Sequence, residues 1–94
     1  MPRAVLNGVV VAESDDTVVV DGNHYFPRSA LVEAHFSASA KHTVCGWKGR
    51  ASYLTVEAGG ETAPDAAWFY PDPKPRAEHI RDRVAFWRGV RVEG

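Results

Sequence analysis

Short runs of β-branched residues, separated by residues that favour turns, recur along this chain and constrain it to a mainly β fold. Two valine runs occupy residues 9–11 and 18–20, and Ser14-Asp15-Asp16 lies between them. β-branched side chains favour extended backbone, whereas Ser and Asp satisfy the backbone groups of turns. We therefore predict that the two valine runs form an antiparallel pair.

The second valine run leads into a tight hairpin. Asp21-Gly22-Asn23 follows it, and Gly and Asn tolerate the positive φ that such a reversal needs. The strand is predicted to resume at His24-Tyr25-Phe26, so the first part of the chain is interpreted as a meander of three strands.

Further strands are predicted after residue 40, where apolar and polar residues alternate. They are residues 41–45, 50–57, 62–70, 84–87 and 90–92. Gly59-Gly60 marks one hairpin, and Arg88-Gly89 marks a reversal between the last two strands. Before these strands, residues 29–36 are predicted to form one short helix, because Leu31 and His35 have the i,i+4 spacing of a helix face.

Three prolines interrupt the pattern in Tyr70-Pro71-Asp72-Pro73-Lys74-Pro75. Each proline fixes φ and lacks a backbone donor, so the segment is expected to be an extended surface connector. A single helical turn at residues 77–80 is expected to follow it.

The size and charge of the chain exclude several classes of protein. Its 94 residues suffice for one domain, residues 1–94, and a net charge of −1 with scattered Lys and Arg predicts no nucleic-acid partner. No apolar run approaches the ~20 residues of a membrane span, and Asn7-Gly8 interrupts any signal-peptide core. A lone cysteine is typical of a reducing compartment. We expect a cytoplasmic protein with a free thiol, and the sequence leaves a homodimer open.

The only cysteine, Cys45, lies in a stretch of residues 43–53 that also holds Trp47, Lys48 and two glycines. A cation such as Lys48 or His42 would stabilise its thiolate, so Cys45 and Lys48 are the candidate catalytic residues. Equally, cysteine is among the most buried residue types and can be a small core residue. A metal site normally needs two close ligand pairs, and His42-x-x-Cys45 is only one, so we expect neither a metal nor a cofactor.

Aromatic residues near this stretch predict a binding site. Strand alternation places Cys45 and Tyr53 on sheet faces that can line a common cleft, and Gly46 and Gly49 predict a tight reversal with Trp47 and Lys48 at its tip. An aromatic cleft with a lysine at its rim suits a flat, partly polar small molecule. The predicted ligand-binding residues are Cys45, Trp47, Lys48, Tyr53, Trp68 and Tyr70.

Two ordered motifs carry a resemblance to a known family. The first is Thr43-x-Cys45-x-Trp47-Lys48-Gly49-x-Ala51-x-Tyr53, and the second is Trp68-x-Tyr70-Pro71-x-Pro73, with Phe26-Pro27 before them and Val84-Ala85-Phe86 after them. The chain resembles the bacterial family called domain of unknown function 427. The resemblance implies a β-tent, or Mss4-like, fold in which two antiparallel sheets meet at an angle. Some proteins of that shape hold a structural zinc through paired Cys-x-x-Cys motifs, from which this chain departs, and one branch binds cyclic ligands in a cage of tryptophans.

The family sometimes carries a nucleotidyltransferase label. That chemistry would need a Gly-Ser turn followed by metal-binding carboxylates on strands, whereas Asp15-Asp16 is predicted to lie in a turn. The sequence therefore predicts a binding domain for a small cyclic molecule, of the nucleotide or nucleoside kind. The alternatives are a small cysteine-dependent or nucleotidyltransferase-like enzyme and an adaptor that presents the proline segment to a partner.

Overall fold

Nine β-strands in three antiparallel sheets make up most of the computed structural model, which describes residues 1–94. The strands are β1 (Arg3–Leu6), β2 (Val9–Glu13), β3 (Val18–Val20), β4 (Asn23–Tyr25), β5 (Phe36–Cys45), β6 (Gly49–Ala58), β7 (Glu61–Phe69), β8 (Val84–Phe86) and β9 (Arg91–Glu93). The mainly β fold predicted from the sequence is confirmed. The strands form three sheets rather than the two that the resemblance implied.

The first sheet has the order β2-β1-β9 and corrects the predicted pairing of the valine runs. Asn7 and Gly8 join β1 to β2 with φ values of 48° and 78°, which are the left-handed pair of a two-residue hairpin. Because β2 pairs with β1, its valines do not pair with β3. The reversal at Arg88-Gly89 is present, but it carries β9 to β1 rather than back to β8.

The second sheet is the predicted hairpin of β3 and β4. Asp21 and Gly22 form its turn with φ values of 53° and 79°, and Val18 pairs with Tyr25. Phe26, the next residue, exchanges two backbone hydrogen bonds of 2.8 and 2.9 Å with Val84 at the start of β8. This bridge attaches the hairpin to the third sheet.

The third sheet has the order β5-β6-β7-β8 and contains the long strands that residue alternation predicted. Gly59 and Gly60 form the β6–β7 turn with φ values of 59° and 80°. Both faces of β6 are covered: Ala51 and Tyr53 are buried on one side, and Leu54 is buried on the other. Neighbouring residues of β6 therefore belong to different cores.

The short helix predicted at residues 29–36 is absent. Two isolated 3₁₀ turns, Arg28–Ala30 and Glu33–His35, occupy the segment, and Leu31 between them is extended with φ −77° and ψ 137°. Leu31 forms a bridge with Ala12, and the amide of Val32 donates to the Val11 carbonyl at 2.8 Å. Pairing with β2 satisfies backbone groups that a short helix would have left free at its ends. The turn predicted after the prolines is confirmed as a 3₁₀ segment, Pro75–Ile80.

Two apolar cores result from this arrangement. The first core lies between the first sheet and one face of the third sheet, and Leu6, Val11, Leu54 and Val84 are among its members. The second core lies on the opposite face and contains Tyr25 and Ile80 from the segments that cover it. No helix is long and apolar enough to cross a membrane.

Candidate functional site

Strand alternation brings four of the predicted site residues together at the second core. Cys45 ends β5, and Tyr53 of β6 is directly paired with Trp68 of β7. Tyr70 follows β7 and is buried in the same core, against which Cys45 and Trp68 pack. The shared face inferred from strand alternation is therefore present.

Lys48 is buried rather than projecting from the β5–β6 turn, which corrects the prediction for this residue. Only 7% of Lys48 is exposed, and its ammonium donates a hydrogen bond of 2.5 Å to Oδ2 of Asp21 in the β3–β4 turn. An ammonium without a partner would be strongly unfavourable in the interior, so the ion pair with Asp21 makes this position tolerable. The positive charge of Lys48 is consequently compensated within the protein.

Polar groups around Lys48 form a compact set that we call the lysine cluster: Asp21, Tyr25, Cys45, Lys48 and Tyr70. Burial raises the pKa of Tyr25 and of Tyr70, because the charged phenolate is disfavoured away from water. Burial is the largest single influence on Lys48 and opposes its charge, but the hydrogen bond to Asp21 together with the charge interactions with Asp21, Tyr25 and Cys45 raises the lysine pKa. At neutral pH the cluster thus holds the ion pair of Lys48 and Asp21 and two uncharged phenol hydroxyls. Cys45 is half-buried and lies close enough to Lys48 and Tyr70 to influence both electrostatically.

The β5–β6 turn uses its two glycines unequally. Gly49 has a φ of 114°, whereas Gly46 does not have a positive φ. A Cβ on Gly49 would lie 3.4 Å from the Asp72 carbonyl oxygen and 3.5 Å from the Lys74 amide nitrogen, which are ordinary contact distances, so the positive φ is what favours glycine at this position. Trp47 remains at the surface, 38% exposed, with the Lys48 ammonium 5.1 Å from its ring centroid.

A second group of rings, Tyr53, Trp68 and Trp87, adjoins the lysine cluster, and we call it the aromatic face. The centroids of Trp68 and Trp87 are 5.6 Å apart with an angle of 73° between their planes, and Tyr53 lies 6.3 Å from Trp87. Trp68 Nε1 donates to the Tyr25 hydroxyl at 3.2 Å, and Trp87 Nε1 donates to the Asp65 carbonyl at 2.6 Å. Both indole N–H groups are occupied internally, which fixes the orientation of the rings.

Two cations border the aromatic face. The Lys41 ammonium lies 5.6 Å from the centroid of Tyr53, and the Arg88 guanidinium carbon lies 4.2 Å from that of Trp87. Neither cation forms an ion pair with a carboxylate. The carboxylate of Asp65, whose carbonyl holds Trp87, accepts a hydrogen bond from the Ser39 hydroxyl. The edge of the face therefore carries two cations that form no ion pair, with one carboxylate, Asp65, nearby.

Sequence reasoning missed Asp21, Tyr25 and Trp87 as parts of this site. Asp21 was interpreted as a turn former, and its left-handed backbone shows that it is one, but the same turn also delivers its carboxylate to Lys48. Tyr25 ends β4, which reaches the third sheet only through the bridge between Phe26 and Val84, and Trp87 directly follows β8, which pairs with β7. One signal was available: Trp87 is a large aromatic residue directly before the Arg88-Gly89 reversal, where exposure is common.

The predicted cleft is an open face, because the only cavity in the structure lies elsewhere. That cavity has a volume of about 370 Å³ and is lined by Leu54, on the other side of β6 from Tyr53. No group of three or more His, Cys, Asp and Glu side chains comes together in a way that could hold a metal ion.

Comparison with known proteins identifies the family. No curated protein matches the chain in sequence. A family described as a domain of unknown function, DUF427, matches residues 2–94, which is almost the whole chain and includes every residue of the lysine cluster and the aromatic face. The chain belongs to the DUF427 family.

Proposed function

We propose that the protein binds a small cyclic anion of the nucleotide kind on the aromatic face. The observation that carries this proposal is the exposed indole of Trp87 with Arg88 beside it and Lys41 beside the adjoining ring of Tyr53. Neither cation has a carboxylate partner. A base or similar ring would stack on the aromatic side chains, and a phosphate would lie at the positively charged edge.

The rings are suited to stacking because their positions are already fixed. Trp87 is 38% exposed. A ligand that covers this ring gains about 25 cal/mol for each Å² of apolar surface that it removes from water. Hydrogen bonds from both indole N–H groups hold Trp68 and Trp87 in place, so little side-chain freedom is lost when a ligand binds. Stacking of one base on an aromatic side chain typically contributes about 1–3 kcal/mol.

The charges favour a ligand with an anionic group. Lys41 and Arg88 are both free to pair with phosphate, and charge-assisted hydrogen bonds are among the strong ones. Lys48 has a different role from the one that its sequence position suggested. Its charge is matched by Asp21, so it positions the β3–β4 turn and Tyr25 behind Trp68 instead of meeting the ligand.

A cysteine-dependent or nucleotidyltransferase-like enzyme is the second candidate. The observation in its favour is that the half-buried Cys45 lies near the Lys48 ammonium. Binding is the stronger proposal because Asp21 already compensates the charge that would stabilise a thiolate. The proposed setting is the cytoplasm, where a free thiol such as Cys45 persists, and the protein is proposed to need no metal.

Thermal shift measurements with AMP, adenosine, inorganic phosphate and succinimide test the proposal. A ligand at 100 times its Kd stabilises the folded state by about 2.7 kcal/mol, so each probe is used at several concentrations up to the millimolar range. We expect AMP to stabilise the protein more than adenosine or phosphate does. The AMP shift should disappear in Trp87→Ala, and in Lys41→Ala/Arg88→Ala it should fall to the adenosine value.

Two matched variants serve as controls, and each shift is measured against the melting temperature of the same variant without ligand. Trp47→Ala removes a tryptophan of equal exposure, 38%, from the lysine end of the site. Arg50→Ala removes an exposed arginine of β6 that has no ion-pair partner. The proposal fails if no probe shifts the wild type, or if either control abolishes the AMP shift as completely as Trp87→Ala.

A further inference from the structure

The cavity of about 370 Å³ is separate from the aromatic face. It lies where the two 3₁₀ turns at residues 28–35 approach β5 and β6, and its volume is within the range of small-molecule sites. Its lining residues are Arg28, Ser29, Leu31, Glu33, Phe36, Ser37, Ala38 and Leu54. Leu54 and Tyr53 are neighbours that face different cores, so the cavity and the aromatic face lie on opposite sides of the same strand.

Apolar side chains supply one part of the cavity wall. Leu31, Phe36 and Leu54 line it, and all three belong to the first core or pack against it. Leu31 is held by its bridge to Ala12, and the ring of Phe36 lies 6.0 Å from that of Phe86. The apolar wall is therefore held in place by backbone pairing and by packing against the first core.

Arg28 supplies a positive charge beside the ring of Phe69. Its guanidinium carbon lies 4.6 Å from the centroid of Phe69, and the group forms no ion pair or side-chain hydrogen bond within the protein. The N–H groups of a guanidinium that lies over a ring remain able to bind a carboxylate through two parallel hydrogen bonds. Ser29 and Ser37 are also among the lining residues.

Glu33 limits the charge that a ligand can carry. It is the one acidic residue of the lining and forms no ion pair with Arg28 or with any other cation. A ligand with a second carboxylate would meet the negative charge of Glu33, whereas a ligand with one carboxylate avoids it by pointing its apolar part to the wall.

We propose that this cavity is a second binding site, which takes a small monocarboxylate with an apolar body. The carboxylate pairs with the Arg28 guanidinium, and the aliphatic or aryl part of the ligand contacts Leu31, Phe36 and Leu54. Glu33 selects against dicarboxylates. The site is independent of the aromatic face, so neither proposal stands or falls with the other.

Chemical-shift titration of the amide groups of the ¹⁵N-labelled protein tests this site, with hexanoate, hexanamide and adipate as the probes. These three molecules have the same chain length and differ in charge. We expect hexanoate to shift the amides of residues 28–38 and 54 in a saturable manner. Hexanamide should bind about tenfold or more weakly because it lacks the charge-assisted pair, and adipate should also bind weakly.

Variants separate charge from packing in the same titration. Arg28→Ala should weaken hexanoate binding by about tenfold or more, and Glu33→Gln should strengthen adipate binding without weakening hexanoate binding. Arg76→Ala, which removes another exposed arginine that forms no ion pair, should change neither. The amide spectrum of each variant shows directly whether it is folded. Equal affinity for hexanoate and hexanamide, an unchanged affinity in Arg28→Ala, or no saturable shift would overturn the proposal.

Discussion

The ion pair between Lys48 and Asp21 joins the two hairpins around the candidate site, and replacing Asp21 with asparagine isolates its contribution. The substitution removes the negative charge and keeps the shape of the side chain. Asparagine also tolerates the left-handed backbone at this position, where φ is 53°. Any loss of stability therefore reports on the charge rather than on the turn.

The magnitude follows from the unequal exposure of the partners. The side chain of Lys48 is 9% exposed and that of Asp21 is 59% exposed, with 2.5 Å between the charged atoms. A hydrogen bond between charged groups contributes about 1.5–3 kcal/mol, and solvent screening at the exposed carboxylate lowers this. We expect Asp21→Asn to lower the free energy of unfolding by roughly 1–2 kcal/mol, or the Tm by about 4–16 °C for a domain of this size.

A double-mutant cycle in urea measures the interaction itself. Lys48→Met leaves the exposed carboxylate of Asp21 to be solvated by water and fills the interior with an apolar chain. This variant should therefore lose less than about 1 kcal/mol of unfolding free energy. The Asp21→Asn/Lys48→Met double variant should lose the same unfolding free energy as Lys48→Met alone, because the Asp21 charge has no partner once Lys48 is replaced. The coupling energy from the cycle should therefore equal the loss in Asp21→Asn, roughly 1–2 kcal/mol.

Asp72→Asn provides the matched control, because Asp72 is 95% exposed and lies 3.7 Å from Arg81. An exposed pair of this kind should contribute less than about 0.5 kcal/mol. If Asp21→Asn were no more destabilising than Asp72→Asn, or if the coupling energy were zero, the reasoning that a buried lysine depends on this carboxylate would be refuted.

Two further predictions concern pH and the β5–β6 turn. The pKa values of Tyr25, Lys48 and Tyr70 are all raised in the folded state, from ordinary values of 10.0, 10.5 and 10.0. The protonated form of each group therefore stabilises the folded protein fully below the ordinary pKa, and this stabilisation is lost as the pH rises through the folded pKa. The urea midpoint should therefore fall above about pH 10, and Tyr70→Phe should make that fall shallower; an equally steep fall in the variant would count against burial of Tyr70 as a cause. Gly49→Ala should lower the free energy of unfolding by about 1–3 kcal/mol because of its φ of 114°, whereas Gly46→Ala, which has open space around its Cβ position, should be neutral or stabilising by up to about 1 kcal/mol. Similar losses in the two glycine variants would contradict the assigned roles.

Local sequence signals predicted the strands much better than the pairing between them. Hairpins that close within a few residues, such as Asp21-Gly22 and Gly59-Gly60, were predicted correctly because the turn chemistry and the strands are adjacent in sequence. The pairing of β1 with β9 joins opposite ends of the chain, and no local pattern encodes it. The Asn7-Gly8 turn is itself a strong local hairpin signal, so β1, which is absent from the predicted strands, is an element that turn chemistry alone can predict.

The helix predicted at residues 29–36 shows how tertiary contacts override local spacing. Leu31 and His35 have helical spacing, yet the segment gains more from backbone bonds to β2 and from placing Leu31 against the first core. An eight-residue helix has little stability of its own in water, so a competing strand contact decides the outcome.

The sequence by itself determined the mainly β class, the positions of the tight turns, and the alternation that places Cys45, Tyr53, Trp68 and Tyr70 near one another. Only the tertiary structure decided the environment of each side chain. It buried Lys48 by supplying Asp21 from a hairpin 27 residues away in sequence, and it exposed Trp87 at the end of β8 beside Trp68. The physical reason is that strand alternation acts over two residues, whereas burial and charge compensation depend on groups that meet only when the sheets pack.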